Sequence, residues 1–277
     1  MHERYFEVAR DLAERCPARL GAEIAVTGSV SKGFADAGSD LELNFWTEDV
    51  VPADEAVAWL ASIGVERTWP DPSNEPEMFW RQFQWQRTWV EAGWETVGHA
   101  EHTLDEIVNG RRLGHNEMML ADVIVHAVPL RSAGKLGEWQ ALLATYPPEL
   151  GRALIERELG IWAYPQWVES RWVAARREQW LTLTAALRSY MMSCLRVVFA
   201  LNGRWEPDWK WLAEVTRDLT IQPPDFVPRI NRAMSAPTAE ERIETAFRLV
   251  LDVIDLVPPS ELAAEARAVV ERSLAER

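Results

Sequence analysis

Period-two alternation of apolar and polar residues occurs only before Val97, and this limit constrains the fold more than any other feature of the sequence. The segments 23-EIAVT-27 and 40-DLELNFW-46 are typical of strands, and 81-RQFQWQRTWVEAGWETV-97 alternates as a further strand of the same sheet. From about residue 103 onward the strand signals stop. The sequence therefore predicts an α+β protein, in which a small mixed β-sheet is followed by an α-helical bundle.

Apolar residues at helical spacing fill most of the remaining chain. Helices over 3–16 and 53–63 are expected beside the strands. The later predicted helices span, in chain order, 117–128, 136–145, 149–163, 167–201, 208–219, 239–256 and 260–275, with prolines between several of them. The change of pattern predicts a first domain over residues 1–130 and a helical domain over residues 131–277.

Two carboxylates stand at alternate positions where the second strand begins. Residues i and i+2 of a strand point to the same side of a sheet, so Asp40 and Glu42 are expected to project together. Two like charges so close favour a cation between them, and Mg²⁺ takes carboxylate and phosphate oxygens together. Before them, Gly28 lets the backbone approach a ligand, and the hydroxyls of Ser29 and Ser39 can meet phosphate oxygens.

A nucleoside triphosphate with Mg²⁺ is the ligand that such a loop and strand suit. A third acid is expected on an adjacent strand, and the stretch 90-VEAG-93 provides Glu91. Glu95 competes with Glu91, because it belongs to the same face of the predicted strand. Between them stands Gly93, which indicates a bulge or a close approach of another backbone. Lys32 lies in the loop, where it either neutralises phosphate charge or is simply exposed.

The order Gly-Ser, ten residues, then Asp-x-Glu on a strand resembles the nucleotidyltransferase superfamily related to polymerase beta. Within it, the chain is most similar to the branch that modifies aminoglycoside and lincosamide antibiotics. The resemblance implies that Asp40, Glu42 and Glu91 bind Mg²⁺ and are catalytic, with Glu91 favoured over Glu95 by its Trp-Val-Glu context. It also implies that Gly28, Ser29, Lys32 and Ser39 bind ATP or another nucleoside triphosphate, from which a nucleoside monophosphate passes to a hydroxyl of a small-molecule acceptor.

The helical part shows a weaker resemblance. The segment 199-FALNGRWEPDWKWLAEV-215 is similar to a stretch in uncharacterised relatives of the aminoglycoside enzymes that have a helical C-terminal domain, and it implies that Lys210 reaches the triphosphate. The relatives use a glutamate as general base, for which Glu158 is favoured, while Glu156, Glu169 and Glu178 stay open. The helical domain is expected to bind the acceptor. Seven tryptophans there are expected to be mostly core, with one or two lining a ligand site.

Net charge limits the partners that can be expected. At −14, with no block of Lys or Arg, the chain lacks the electrostatic pattern of a nucleic-acid binder and suits a cationic acceptor or a metal ion. An acidic N-terminus, two buried-type cysteines and the lack of a long apolar run predict a cytoplasmic protein without a membrane span. Two alternatives stay open, namely an enzyme that adenylylates a protein partner and a non-catalytic nucleotide-binding relative.

Overall fold

A computed structural model of the protein describes residues 2–72 and 77–275. The chain divides into two units, Met1–Thr145 and Tyr146–Arg277. The first unit contains a mixed sheet with helices, and the second is helical, so the predicted α+β fold class is confirmed.

The first unit is organised around a six-stranded sheet with the order β3-β4-β5-β2-β1-β6. Its strands are β1 (Glu23–Thr27), β2 (Leu41–Thr47), β3 (Thr68–Pro70), β4 (Met78–Trp85), β5 (Thr88–Thr96) and β6 (Val128–Arg131). Its helices are α1 (His2–Arg15), a 3₁₀ turn (Ala18–Leu20), α2 (Gly28–Ser31), α3 (Ala53–Ser62), α4 (Val97–Val108), α5 (His115–His126) and α6 (Lys135–Leu143). The β2–β5 pair is parallel, and the other pairs are antiparallel.

One face of this sheet packs into an apolar core. Alternate residues of β2 and β5, among them Leu43 and Ala92, lie in one buried cluster with side chains of α1 and α3. Phe45 stacks against Trp94 with ring centroids 4.8 Å apart. Because side chains alternate along a strand, the polar residues between these positions lie together on the opposite face. That second face holds the candidate site.

The segment 81–97 differs from the single strand that its pattern predicts. It contains most of a hairpin of β4 and β5, joined by Gln86 and Arg87 with φ of 48° and 65°. Positive φ at both central residues is the turn that matches the twist of a two-residue hairpin. Strand β6 also corrects the expectation that strand structure ends near residue 103, and α4 lies where no helix was expected.

The second unit is built from helices around one large apolar cluster. Its helices are α7 (Pro148–Trp162), α8 (Pro165–Arg176), α9 (Trp180–Leu201), α10 (Leu212–Val215), α11 (Phe226–Ser235), α12 (Ala239–Leu256) and α13 (Glu261–Ala275). The single helix predicted over 167–201 is two helices, because Glu178 has a φ of 55° between them. The helix predicted over 208–219 is only α10, which begins after Trp211 at a φ of 57°.

Helix α9 is the one helix in the described residues that is long and apolar enough to cross a membrane. In its most apolar 18-residue window, 67% is buried inside the protein, and many of its residues lie in the core of the second unit. The central helix of a bundle has the same length and composition.

Candidate active site

A row of polar side chains crosses the second face of the sheet on four neighbouring strands. Thr27 of β1 is the register partner of Glu42 on β2, Glu42 is the partner of Glu91 on β5, and Glu91 is the partner of Gln82 on β4. Directly opposite residues on neighbouring strands point to the same side of the sheet, with strands about 4.8 Å apart. The register therefore places Glu42 and Glu91 side by side on one face.

Two hydrogen bonds on this face involve polar side chains of the row, and one of them restrains Glu91. Gln82 Nε2 donates a hydrogen bond to Glu91 Oε1 at 3.3 Å. One step along the strands, the buried hydroxyl of Thr27 donates to Asn44 Oδ1 at 2.9 Å. Both Glu42 and Glu91 are only partly buried, so the pair borders solvent. The pair thus has the exposure that a ligand site needs.

Gly28 lies directly against the carboxylate of Glu42. A Cβ built on Gly28 would be 2.3 Å from Glu42 Cδ and 2.4 Å from each carboxylate oxygen. Gly28 also has a φ of +65°, in the left-handed region that favours glycine. The backbone conformation favours glycine here, and any side chain at this position would displace the Glu42 carboxylate. The structure thus brings together the Gly-Ser segment and the second acid of the sequence motif.

Glu95, the competitor of Glu91, is held by other groups. It is 5% exposed and accepts hydrogen bonds from Trp46 Nε1 at 3.1 Å and from His99 Nδ1 at 2.7 Å. These contacts give Glu95 a structural role, and Glu91 is the acid of β5 that stands beside Glu42.

Gly93 is not a bulge, because the register of β5 runs through it without a shift. The three atoms nearest to a Cβ at this position belong to a side chain and not to a backbone. A Cβ there would be 2.7 Å from the indole of Trp80, which lies over this position. The glycine on β5 is therefore required by a side chain of the neighbouring strand.

Asp40 and Ser39 end the loop that leads into β2. Ser39 Oγ accepts a hydrogen bond from the backbone N–H of Asp36 at 2.9 Å, and Tyr5 Oη donates to the Ser39 carbonyl at 2.7 Å. Burial raises the pKa of Tyr5, and the charges of Asp36 and Asp40 raise it further. The Ser39 hydroxyl therefore takes part in a local turn, and Asp40 lies within electrostatic range of Tyr5.

Lys32 points toward α5. Its ammonium forms an ion pair with Asp122, and both side chains are nearly buried. His126 Nδ1 lies 3.2 Å from Asp122 Oδ1. The side-chain hydrogen bond that His126 donates to Asp122 raises the pKa of His126, against the opposing effect of burial. The predicted phosphate contact of Lys32 thus competes with a structural ion pair that holds the loop after α2 to α5.

The surroundings of Glu158 differ from those that a general base needs. It is fully buried and accepts hydrogen bonds from Ser193 Oγ at 2.5 Å and from Arg196 Nη1 at 2.6 Å. Arg157 Nη2 donates at 2.7 Å, and Arg196 Nε also donates to Glu206 at 3.1 Å. Burial alone would raise the pKa of Glu158, but Arg196, Ser193 and Arg157 together lower it. A carboxylate held in this way is a poor proton acceptor, which argues against the predicted role.

Lys210 of the predicted phosphate-binding set lies in the second unit. Its ammonium is 3.5 Å from Asp208 Oδ2, and its side chain is 74% exposed. Ser29 is partly buried beside Gly28, and its carbonyl accepts from the backbone N–H of Phe34 at 2.9 Å.

The donor chemistry of the acid pair fits a hard cation, because carboxylate oxygens are the ligands that Mg²⁺ prefers. In residues 2–72 and 77–275, no group of three or more His, Cys, Asp or Glu side chains is arranged to hold a metal ion. Glu42 and Glu91 thus form a pair, which Asp40 does not complete to a three-ligand cluster in this conformation. The carboxylate oxygens suit the ion, but this pair alone does not complete its coordination shell.

Three polar neighbours of the predicted site residues are not indicated by the sequence analysis, namely Gln82, Asn44 and Asp122. Asn44 continues the alternation of Asp40 and Glu42, so the strand pattern contains a signal for it. Gln82 becomes a neighbour of Glu91 only through the hairpin, and the pairing of Asp122 with Lys32 depends on how α5 packs.

Part of the chain matches a known family, and a solved structure is similar to the chain over its whole length. Residues 113–212, which are 100 of the 277 residues, match a family described as a domain of unknown function, DUF4037. The crystal structure of a nucleotidyltransferase-like protein from Exiguobacterium sibiricum 255-15 is similar over 100% of this chain and 80% of that chain, at 13% identity and a TM-score of 0.42. No curated protein matches.

Proposed function

We propose that the chain is a Mg²⁺-dependent nucleotidyltransferase that moves a nucleoside monophosphate, AMP from ATP, to a hydroxyl of a small cationic acceptor. The observation that supports it most is the register of Glu42 with Glu91, with Gly28 against the Glu42 carboxylate. The parts of the sequence motif are thereby adjacent in space. The antibiotic-modifying resemblance and the acidic net charge support the choice of acceptor.

Each residue of the site has a distinct task in this proposal. Glu42 and Glu91, with Asp40, would hold Mg²⁺, which when bound neutralises the charge of the triphosphate. Gly28 and Ser29 contact the phosphates through backbone N–H groups and a hydroxyl. Gln82 restrains the Glu91 carboxylate through one hydrogen bond.

The transfer is an in-line substitution at the α-phosphorus. The acceptor hydroxyl loses its proton to solvent water and its oxygen forms a new bond to the α-phosphorus. The bond from the α-phosphorus to the bridging oxygen breaks, and pyrophosphate leaves. Because its carboxylate is held by Arg196 and Ser193, Glu158 is not proposed as the base.

The proposal is tested by incubating the purified protein with each of the four nucleoside triphosphates and Mg²⁺ against aminoglycosides, lincosamides and proteins. Intact-mass analysis should show one small acceptor heavier by a nucleoside monophosphate, with one pyrophosphate released per transfer. Label on a protein instead would favour the protein-modifying alternative. Nucleotide binding without any transfer would favour a non-catalytic relative. The absence of both binding and transfer would overturn the proposal.

A further inference from the structure

The hydroxyl of Tyr5 ties helix α1 to the loop between α2 and β2, which spans residues 32–40. Its single proton is shared between two backbone acceptors, the carbonyl of Ser39 at 2.7 Å and the carbonyl of Asp36 at 3.1 Å. These partners are 34 and 31 residues away along the chain, so the contact depends on how α1 packs. One side chain thus holds two points of the loop.

Tyr5 is itself held in the core of the first unit. It is 8% exposed and belongs to the same apolar cluster as Val8 and Leu12 of its own helix. Burial raises the pKa of the Tyr5 phenol, and the carboxylates of Asp36 and Asp40 raise it further, so the proton stays on the hydroxyl at neutral pH. The hydroxyl therefore donates from a fixed position.

The end of the loop is exposed and is held by short-range hydrogen bonds. Residues 36–38 are exposed to solvent. Asp36 Oδ1 accepts from the backbone N–H of Gly38 at 2.8 Å, and the Asp36 carbonyl accepts from the backbone N–H of Ser39 at 3.2 Å. An exposed segment held by local hydrogen bonds opens at low free energy. The long-range hydrogen bonds from Tyr5 therefore restrain a segment that would otherwise open readily.

Asp40 directly follows the carbonyl that Tyr5 holds. On its other side stands Leu41, the first residue of β2, which is fully buried and is the register partner of Val90. The backbone of Asp40 is thus fixed at both ends, and its carboxylate changes position by side-chain rotation. Ordering a free backbone opposes binding through lost entropy, and here the ordering is complete before any ion binds.

We propose that Tyr5 is a positioning residue, which holds the backbone before Asp40 so that this carboxylate joins Glu42 and Glu91 when a divalent metal ion binds. Asp40 is two residues before Glu42, which is about 7 Å along an extended chain. Rotation of one side chain, without refolding of the loop, then adds the third acid to the pair. The role toward the metal rests on the proposed function, whereas the restraint on the loop does not.

The restraint is tested by amide hydrogen exchange in Tyr5→Phe, without nucleotide or metal, because this variant keeps the ring and loses the donor. Amides of residues 36–40 should exchange about three- to tenfold faster, the factor for one lost hydrogen bond. Wild-type exchange of residues 23–27 shows that the variant is folded. Tyr190→Phe is the matched control, since the buried Tyr190 hydroxyl donates to the Trp167 carbonyl at 3.1 Å in the second unit. Unchanged exchange of residues 36–40 in Tyr5→Phe, or equal acceleration in Tyr190→Phe, would overturn the proposal.

The link to Asp40 is tested by titration with Mn²⁺, which also suits carboxylate ligands, with the free ion measured by electron paramagnetic resonance. The site is identified as the one that Glu42→Gln removes. Tyr5→Phe should raise its dissociation constant about three- to tenfold, and Tyr190→Phe should leave it unchanged. In an Asp40→Asn background, Tyr5→Phe should change the constant by less than about twofold, because its effect acts through that carboxylate.

The outcomes of the Mn²⁺ titration separate the two proposals. Equal weakening by Tyr5→Phe in both backgrounds, or no weakening in either, would overturn the role of Tyr5 and leave the metal site in place. Binding of Mn²⁺ to Glu42→Gln as tightly as to the wild type would refute the metal site of the proposed function, and the role of Tyr5 toward the metal with it.

Discussion

The carboxylate of Glu42 occupies the space that a side chain on Gly28 would need, since a Cβ there would be 2.3 Å from Glu42 Cδ. Gly33 offers a matched control, because its φ of +77° is also left-handed but nothing lies within 4 Å of its Cβ position. The two glycines separate backbone strain from the contact with the acid.

Gly28→Ala and Gly33→Ala should each lower the free energy of unfolding by about 1–2 kcal/mol, the cost of a left-handed alanine. Only Gly28→Ala should also displace Glu42, so only this variant should lose most of its nucleotidyl transfer. Chemical denaturation and transfer rates measure the two effects. Equal activity of the two variants would show that the contact between Gly28 and Glu42 has no part in the reaction.

Repulsion between Glu42 and Glu91 should be visible in stability. Like charges directly opposite each other on neighbouring strands are unfavourable, so Glu42→Gln should raise the free energy of unfolding by up to about 1 kcal/mol without Mg²⁺. Added Mg²⁺ should stabilise the wild type more than this variant, because the ion replaces the repulsion with coordination. Glu48→Gln, an exposed position just after β2, is the control. An identical Mg²⁺ effect on melting temperature in all three proteins would contradict the pair as a cation site.

The ion pairs of Glu158 should support the helical unit. Glu158→Gln leaves Arg196 less compensated in a buried setting, and breaking such a pair costs about 3–5 kcal/mol. Glu156→Gln, at an exposed position of the same helix, should change the free energy of unfolding by less than about 0.5 kcal/mol. Denaturant titrations of the two variants make the comparison. If both variants were equally stable, the buried ion pairs would not stabilise the folded protein.

The pKa of Glu158 predicts how the free energy of unfolding depends on pH. Its pKa is lowered in the folded protein, because Arg196, Ser193 and Arg157 outweigh the effect of burial. A group with a lowered folded pKa contributes stability above its unfolded pKa and loses that contribution as pH falls through the folded pKa. The stability difference between wild type and Glu158→Gln should therefore shrink on acidification below the usual range of a glutamate. A difference that grows in acid would contradict the sign.

His126 should give the opposite dependence. Its pKa is raised chiefly by the hydrogen bond with Asp122, so its contribution is complete below the unfolded pKa and disappears as pH rises through the folded pKa. The stability difference between wild type and His126→Gln should be larger at pH 5 than at pH 9. Melting temperatures at the two pH values measure it, with His102→Gln, an exposed histidine, as control.

The sequence predicts strands from their alternating pattern, but it does not predict where the chain reverses or a helix breaks. The strand that carries Glu42, and the face on which Glu42 lies, follow from period-two alternation alone. The hairpin at Gln86 and Arg87 and the helix break at Glu178 leave no such signal, since each has positive φ at a residue other than glycine. Tertiary packing holds these residues in place, so neighbours such as Gln82 beside Glu91 appear only in the folded chain.

The partners of the polar side chains could not be predicted from the sequence either. A glutamate in a helix, such as Glu158, reads the same in the sequence whether it faces solvent or two guanidinium groups. Its partners, Ser193 and Arg196, are more than thirty residues away and meet it only when α9 packs on α7. Lys32 is a similar case, because its ion pair with Asp122 spans 90 residues.

The central claim is that the Glu42–Glu91 pair is the centre of nucleotidyl transfer. The most direct measurement is the rate of pyrophosphate release from a nucleoside triphosphate, with Mg²⁺ and the best acceptor of the panel, in wild type, Glu42→Gln, Glu91→Gln and Glu48→Gln. Glu42→Gln and Glu91→Gln should each lower kcat at least about 100-fold, because the charge stabilisation by a bound metal is several kcal/mol. Glu48→Gln should keep the wild-type rate. Wild-type rates in Glu42→Gln or Glu91→Gln, with the fold intact, would contradict the account.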